Sequence, residues 1–398
     1  MAKQTWVRVA NEWKALKSVW TNIGGTWKKD VMPYAWIGGV AKECMSYVKT
    51  LLYSTNIGGV RNSTTTNTSS KASNNSNYII ESLMGNSSPS SWNTVEALDE
   101  DLVIIAAPSL TQARTEGGCA AFNNMVVFAS GMTTGWNNHS ISVNGYTSDL
   151  DRVTFPNMVT GRRDFDCGVT SSGSHLICPG GITTGGASGI IGTVEGYDED
   201  LLKIAVPALS QASYTFGVGN VGQYLFISGG GTTNLAIAPV INNVYDNDLV
   251  KHAAPNLTQG RGAYPATFSF KDYYVILGGS THGHWDQAPQ SGGDAYDSDL
   301  LRLGPLSLSE PMKFCRTITF KDGLQGGIFG AAKGTSSITP ISKIELFDNN
   351  LVRSSFGNLQ NSKIDGGAVS QVGINVVYSG YSNVGGTART VREVYTYN

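Results

Sequence analysis

Val194-Glu195-Gly196-Tyr197-Asp198-Glu199-Asp200-Leu201-Leu202-Lys203-Ile204-Ala205 reads as two short strands around an acidic turn. Its core is an aromatic residue followed four positions later by Leu. That core recurs as Leu98/Leu102, Tyr146/Leu150, Tyr245/Leu249, Tyr296/Leu300 and Phe347/Leu351, 48 or 51 residues apart, and a truncated copy closes the chain at Tyr395. A fixed period near fifty means stacked copies of one supersecondary unit, most often a β-propeller blade.

Working outward, residues 194–244 supply four strands. Strand c is Val194–Tyr197 and strand d is Leu201–Ala205. A Pro/Leu/Ser/Gln connection follows, then strand a (Ser213–Val218) and strand b (Tyr224–Ser228), closed by Gly229-Gly230. Strand b has counterparts in Met125–Phe128, His175–Cys178, Tyr274–Leu277, Gly327–Phe329 and Val376–Tyr378. Such compact apolar runs suit strands buried on both faces. Six of them predict six blades. The chain ends in strands a, b and c, so strand d of the last blade is expected from 102–106, closing the ring. Val95–Leu98 has no place in that scheme.

Three features of the unit resemble the kelch repeat. These are the glycine doublets 180–181, 229–230 and 278–279, the Tyr-Asp pairs 197–198, 245–246 and 296–297, and Arg114, Arg162 and Arg261, each 12 residues after an anchor Leu. The kelch Trp is Leu here. The doublet becomes Ser130-Gly131 and Gly330-Ala331, and the Arg becomes Ser213, Met312 and Lys363. The resemblance implies an all-β, six-bladed kelch-like propeller over 95–398. It does not imply one function. The recurrent Arg are expected to be structural.

The N-terminal part, 1–61, carries a shorter repeat. Trp6, Trp20 and Tyr34 are 14 apart, as are Trp13, Trp27 and Ala41, and Lys14, Lys28 and Lys42. Gly24-Gly25 and Gly38-Gly39 separate short aromatic runs, which predicts tight hairpins. Isolated hairpins are marginal, so they are expected to dock on a partner, with Trp6, Trp13, Trp20, Trp27 and Lys28 as anchor residues. Residues 62–94, rich in Ser, Thr and Asn, read as a linker. On this reading 95–398 folds without them.

Composition bounds the rest. The chain has 398 residues, net charge −2, 15% charged residues and 48 Gly, which fits an all-β protein with many turns. No apolar run approaches the ~20 residues of a membrane helix. Residues 1–60 hold eight Lys/Arg against three acids; the remainder is acidic. Nucleic-acid binding is therefore not expected of the propeller. Five Cys lack metal-ligand spacing and read as free thiols. Met1-Ala2-Lys3 opens no secretory signal, so synthesis in a reducing host cytosol is expected.

Chemistry is sparse. Gly217-Val218-Gly219-Asn220-Val221-Gly222 fits a dinucleotide pattern but lies in a hairpin with no following helix. His282-Gly283-His284-Trp285-Asp286 resembles a metallo-hydrolase box, but no His follows residue 284. No nucleophile motif is present. No catalytic residue, metal or cofactor is expected, and the protein is read as a non-enzyme.

Strand alternation places the a–b and c–d turns on one face and the long b–c and d–a loops on the other. The b–c loops hold Trp136, Asn137 and His139; His282, His284, Trp285 and Asp286; and Tyr381. Two readings stand: contacts to a saccharide, the rings stacking on a sugar face, or polar residues that only shape the loops.

Val19–Lys29 looks like segments common in tail proteins of bacteriophages and of phage-tail-like particles. That resemblance implies a virion tail protein: a tail fibre or receptor-binding protein, anchored to other tail or baseplate proteins through 1–61 and binding a host-surface glycan through the propeller. A non-catalytic kelch scaffold for a protein partner is the alternative. Homo-oligomers are compatible with either.

Overall fold

The computed structural model describes residues 5–9, 12–16, 20–23, 26–29, 34–37, 40–43, 51–56, 68–74, 78–85, 93–185, 189–232, 237–282, 287–320, 323–335, 339–359, 368–372, 375–384 and 387–396. The chain divides into two compact units, Met1–Thr50 with Tyr397–Asn398, and Leu51–Thr396.

The first unit holds three antiparallel hairpins: Thr5–Val9 with Glu12–Leu16, Trp20–Ile23 with Thr26–Lys29, and Tyr34–Ile37 with Val40–Glu43. Their registers match the 14-residue repeat: Asn22 faces Trp27 as Trp36 faces Ala41. The side chains of Trp6, Trp13, Trp20, Trp27 and Lys28 lie outside what is described.

The second unit is a propeller arrangement of antiparallel sheets. Five are four-stranded blades. In chain order of their innermost strands these begin at Thr68–Asn74, Gly118–Phe122, Gly168–Val169, Gly217–Val221 and Ala368–Val372. The other sheet has eight strands, from Ala266–Ser269 to Arg353–Asn358. It contains two successive a–b–c–d ladders fused through the unbroken strand Arg302–Phe320, which pairs backwards with Gln290–Tyr296 and forwards with Gln325–Lys333. Elsewhere the d–a connection leaves the sheet; here it stays extended, and register shifts near Gln290 and Arg316 absorb the misfit. Six separate blades are therefore not what forms.

The closure also differs from expectation. Ile104–Ala107 does not complete the last sheet. It pairs with Val95–Leu98, which pairs with Ile79–Gly85, which pairs with Thr68–Asn74. The stretch read as a linker thus supplies strands a and b of a blade, and Val95–Leu98 is its strand c. The last sheet takes its outer strand from Leu51–Asn56, against Thr387–Thr396. The innermost strands 368–372 and 68–74 are in contact, so the ring closes there.

Burial follows the ladder. Met125–Ala129 is buried throughout, whereas the outer strand Lys203–Ala205 alternates. The tyrosine of each anchor goes inward. Tyr146, Tyr197 and Tyr245 donate to the carbonyls of Pro108, Pro156 and Pro207 at 2.8, 2.9 and 2.8 Å. The acidic turn is a three-residue loop: Leu201 N–H donates to Asp198 O, and Leu202 N–H to Asp198 Oδ1. Its last residue is left-handed, with φ of 62°, 65°, 62°, 63°, 61° and 63° at Leu102, Leu150, Leu201, Leu249, Leu300 and Leu351. Six leucines in a conformation that costs about 1–2 kcal/mol each need an offset. It lies in their side chains, each of which packs on a core cluster.

Glycine doublet and arginine form one device joining consecutive blades. The second residue of each doublet has φ > 0, as at Gly181 (98°) and Gly230 (93°), and the decayed Ser130-Gly131 keeps that geometry. The N–H groups of Gly131, Gly181, Gly230 and Gly279 donate to the carbonyls of residues 162, 213, 261 and 312, the recurrent Arg position of the next repeat. Arg162, fully buried, then donates from Nη1 to Cys178 O, Gly180 O and Thr193 O (3.3, 3.1 and 3.0 Å) and from Nη2 to Glu195 at 2.6 Å. Arg261 does the same to Gly278 O, Gly292 O and Asp294.

Candidate functional site

Hydrogen bonds between turns confirm the two faces. Asn123 in an a–b turn donates to Glu199 O in a c–d turn, at 2.9 Å; on the other face Gly185 N–H donates to Asn137 Oδ1 at 2.5 Å, linking two b–c loops.

On the b–c face the d–a loops converge on the axis. Each of the five described loops turns through a left-handed residue: Glu116 (φ 57°), Asp164 (56°), Thr215 (51°), Ala263 and Tyr264 (51° and 54°), and Phe314 (53°). Backbone bonds chain these loops together. Asp164 N–H donates to Glu116 O, Thr215 to Asp164, Tyr264 to Thr215 and Cys315 to Tyr264, at 2.9, 2.9, 3.1 and 3.0 Å. Non-glycine residues held this way at one place mark strain that the surrounding structure imposes, and such strain clusters at ligand sites.

The geometry brings a polar cluster to that rim. Arg163 Nη1 lies 3.2 Å from Glu116 Oε2 and also pairs with Asp164. Tyr264 OH donates to Asp164 Oδ1 at 2.8 Å. The Arg316 guanidinium lies 5.4 Å from the Tyr264 ring centre. Arg163 covers one face of Trp136, 4.8 Å from the ring centre, yet the indole is 55% exposed. Burial, then the neighbouring Asp164 carboxylate, pushes the Tyr214 phenol up to about 12 and the Tyr264 phenol well above its ordinary value, so both stay protonated. A cavity of about 390 Å³ runs between the innermost strands, lined by Cys119, Asp166, Gly217, Thr267 and Thr319 among others, and Arg316 and Tyr264 of the polar cluster also line it. That volume lies within the ~300–1,000 Å³ of small-ligand sites.

Among solved structures the chain is similar to one titled "Structure of YjhT", with a TM-score of 0.56, covering 73% of this chain and 99% of that chain at 12% identity. The chain is a β-propeller. At that identity the likeness concerns the fold alone. No family model and no curated protein matches the chain.

Of the sequence candidates, Trp136 sits at the propeller's axial cluster. Asn137 ties its loop to the next one. His139 is half-buried. Burial first, and Arg163 second, lower its pKa from 6.5 to about 4, so at neutral pH it is an uncharged wall residue. His282 is engaged by Thr281 Oγ1, 2.8 Å from its Nδ1. His284, Trp285 and Asp286 lie outside the described residues, as does the side chain of Tyr381. Sequence reading missed Glu116, Arg163, Asp164, Tyr264 and Arg316. One signal was available: the positions one to four after each recurrent Arg site hold charged and aromatic residues that differ from copy to copy.

His139 carries a pH prediction. Its folded pKa is below its unfolded one, so between 6.5 and about 4 the unfolded chain binds more protons than the folded chain. Stability should therefore fall as pH drops through that window. Urea midpoints measured across it should decline less steeply for His139→Gln; equal slopes would remove His139 as a cause.

Proposed function

We propose that this chain is a non-catalytic structural protein of a phage tail or phage-tail-like particle. On this reading its propeller is a kelch-like receptor-binding head for a host-surface carbohydrate, and its N-terminal hairpins anchor it to other tail or baseplate proteins. The kelch relationship rests on the glycine doublets and the buried Arg, which act as one inter-blade device. The tail assignment rests on the N-terminal Gly-Gly-Thr-Trp-Lys pattern.

The observation that carries the carbohydrate reading is the half-exposed Trp136, backed by Arg163, which pairs with Asp164, which in turn accepts from Tyr264, a residue that lines the axial cavity. A sugar presents an apolar C–H face and a ring of hydroxyls. An indole takes the first; carboxylate acceptors with guanidinium and phenol donors take the second. Full-length protein should bind immobilised host-envelope polysaccharide. Trp136→Ala should weaken binding about tenfold, since a stacked aromatic contributes ~1 kcal/mol or more. Gln223→Ala, on an exposed a–b turn of the opposite face, should change nothing. If the full chain shows no affinity for the envelope, or if both variants lose equally, the carbohydrate reading fails and a protein-scaffold role gains.

A further inference from the structure

Cys167 and Cys178 face one another across the two inner strands of one blade. Gly168 pairs with Ile177, so the cysteines occupy the next position of the same ladder, and their Sγ atoms are 3.1 Å apart. Both are buried, but Cys167 lines the axial cavity and Cys178 does not. The inner strand they join, Gly168–Val169, has 2 residues, whereas Gly118–Phe122 and Gly217–Val221 have 5 each. The pair thus sits where the blade's innermost ladder is shortest. Other thiols are near: Cys119 also lines the cavity, and a side chain on Gly118 would meet the Cys167 sulfur at 2.6 Å.

We propose that Cys167 and Cys178 are a peroxide-oxidisable pair whose disulfide staples the inner strand of this blade to its neighbour. Hydrogen peroxide is small enough to enter the cavity, which Cys119, Cys167 and Cys315 all line; Cys167 is set apart by the Cys178 sulfur 3.1 Å behind it. The Cys167 thiolate attacks one peroxide oxygen, the O–O bond breaks, and the leaving hydroxide takes up the thiol's proton as water. Cys167 is then a sulfenic acid. Cys178 sulfur attacks Cys167 sulfur, the S–O bond breaks, and the oxygen leaves as a second water with the Cys178 proton. Two thiols and one peroxide become one disulfide and two waters. Burial, followed by the contact with Cys178, holds the Cys167 thiol well above its ordinary pKa, so the first step should quicken from neutral to alkaline pH.

The test is thiol mapping on the full chain. Before peroxide, unfolding and alkylation should label all five cysteines. After peroxide, Cys44, Cys119 and Cys315 should still be labelled, and the tryptic peptide 164–203 should be lighter by two hydrogens. Melting should shift upward and return on reduction. In Cys178→Ser, Cys167 should be trapped as a dimedone-reactive sulfenic acid. Persistent alkylation of both residues, or a link between Cys167 and Cys119, would overturn the proposal.

Discussion

Arg162→Ala should destabilise the propeller by about 3–5 kcal/mol, the cost of removing one partner of a buried ion pair. The guanidinium is fully buried and serves four carbonyls, that of Thr160 through Nε, and Glu195. Its removal leaves Cys178 O, Gly180 O and Thr193 O without that donor and leaves Glu195 with the N–H groups of Val159 and Thr160 and, as its cation, only the partly exposed Lys203 3.8 Å away. Arg162→Lys should recover little, because an ammonium cannot span carbonyls and carboxylate as the planar fork does. Urea unfolding monitored by fluorescence measures both. A loss below ~1 kcal/mol for the alanine variant would mean that the recurrent Arg does not hold the blade together.

A chain truncated to 95–398 should fail to fold, whereas 51–398 should unfold cooperatively. The shorter chain lacks Thr68–Asn74 and Ile79–Gly85, strands a and b of one blade, and Leu51–Asn56, the outer strand of the last sheet. Ile79 and Ile80 are 0% exposed, and burying each contributes about 1.5–3 kcal/mol. Their loss also uncovers the edge of Val95–Leu98 and the flank of Ala368–Val372. Against a typical total of 5–15 kcal/mol, that leaves little margin. Equal melting transitions for the two truncations would reject this closure and restore 95 as the domain boundary.

The boundary was hidden in the sequence for a physical reason. Innermost strands line the axis, where there is little room. A side chain on Gly217 would come within 2.4 Å of Thr267 Cγ2, and one on Gly219 within 2.8 Å of Ser269 Oγ. Small polar residues suit such strands, so Thr68–Asn74 (Thr-Ser-Ser-Lys-Ala-Ser-Asn) has the composition of a linker while being a strand. The period, the doubly buried b strands and the face assignment were legible, because each depends on local pattern alone. The fused sheet was not: Pro305 and Leu306 resemble the d–a connections elsewhere, yet Arg302–Phe320 runs on as one strand.

The site was legible only in part. Trp136 stood out as an aromatic in a long polar loop. Arg163 and Asp164 were masked by Arg162, whose recurrence drew the structural reading to itself. What aims Asp164 and Tyr264 at the axis is a left-handed turn after each described copy of the recurrent Arg site. In these positions the turn is occupied by Glu, Asp, Thr, Tyr and Phe rather than glycine, so nothing in the residue types announces it.

The central claim, that the b–c face around the axis is the receptor-binding surface, is tested most directly by hydrogen exchange of the full chain with and without an oligosaccharide released from the host envelope. Protection should rise in 131–139, 162–166, 263–265 and 314–317 and stay unchanged in the a–b turns 123–124, 171–174 and 222–223. Protection confined to those a–b turns would contradict it.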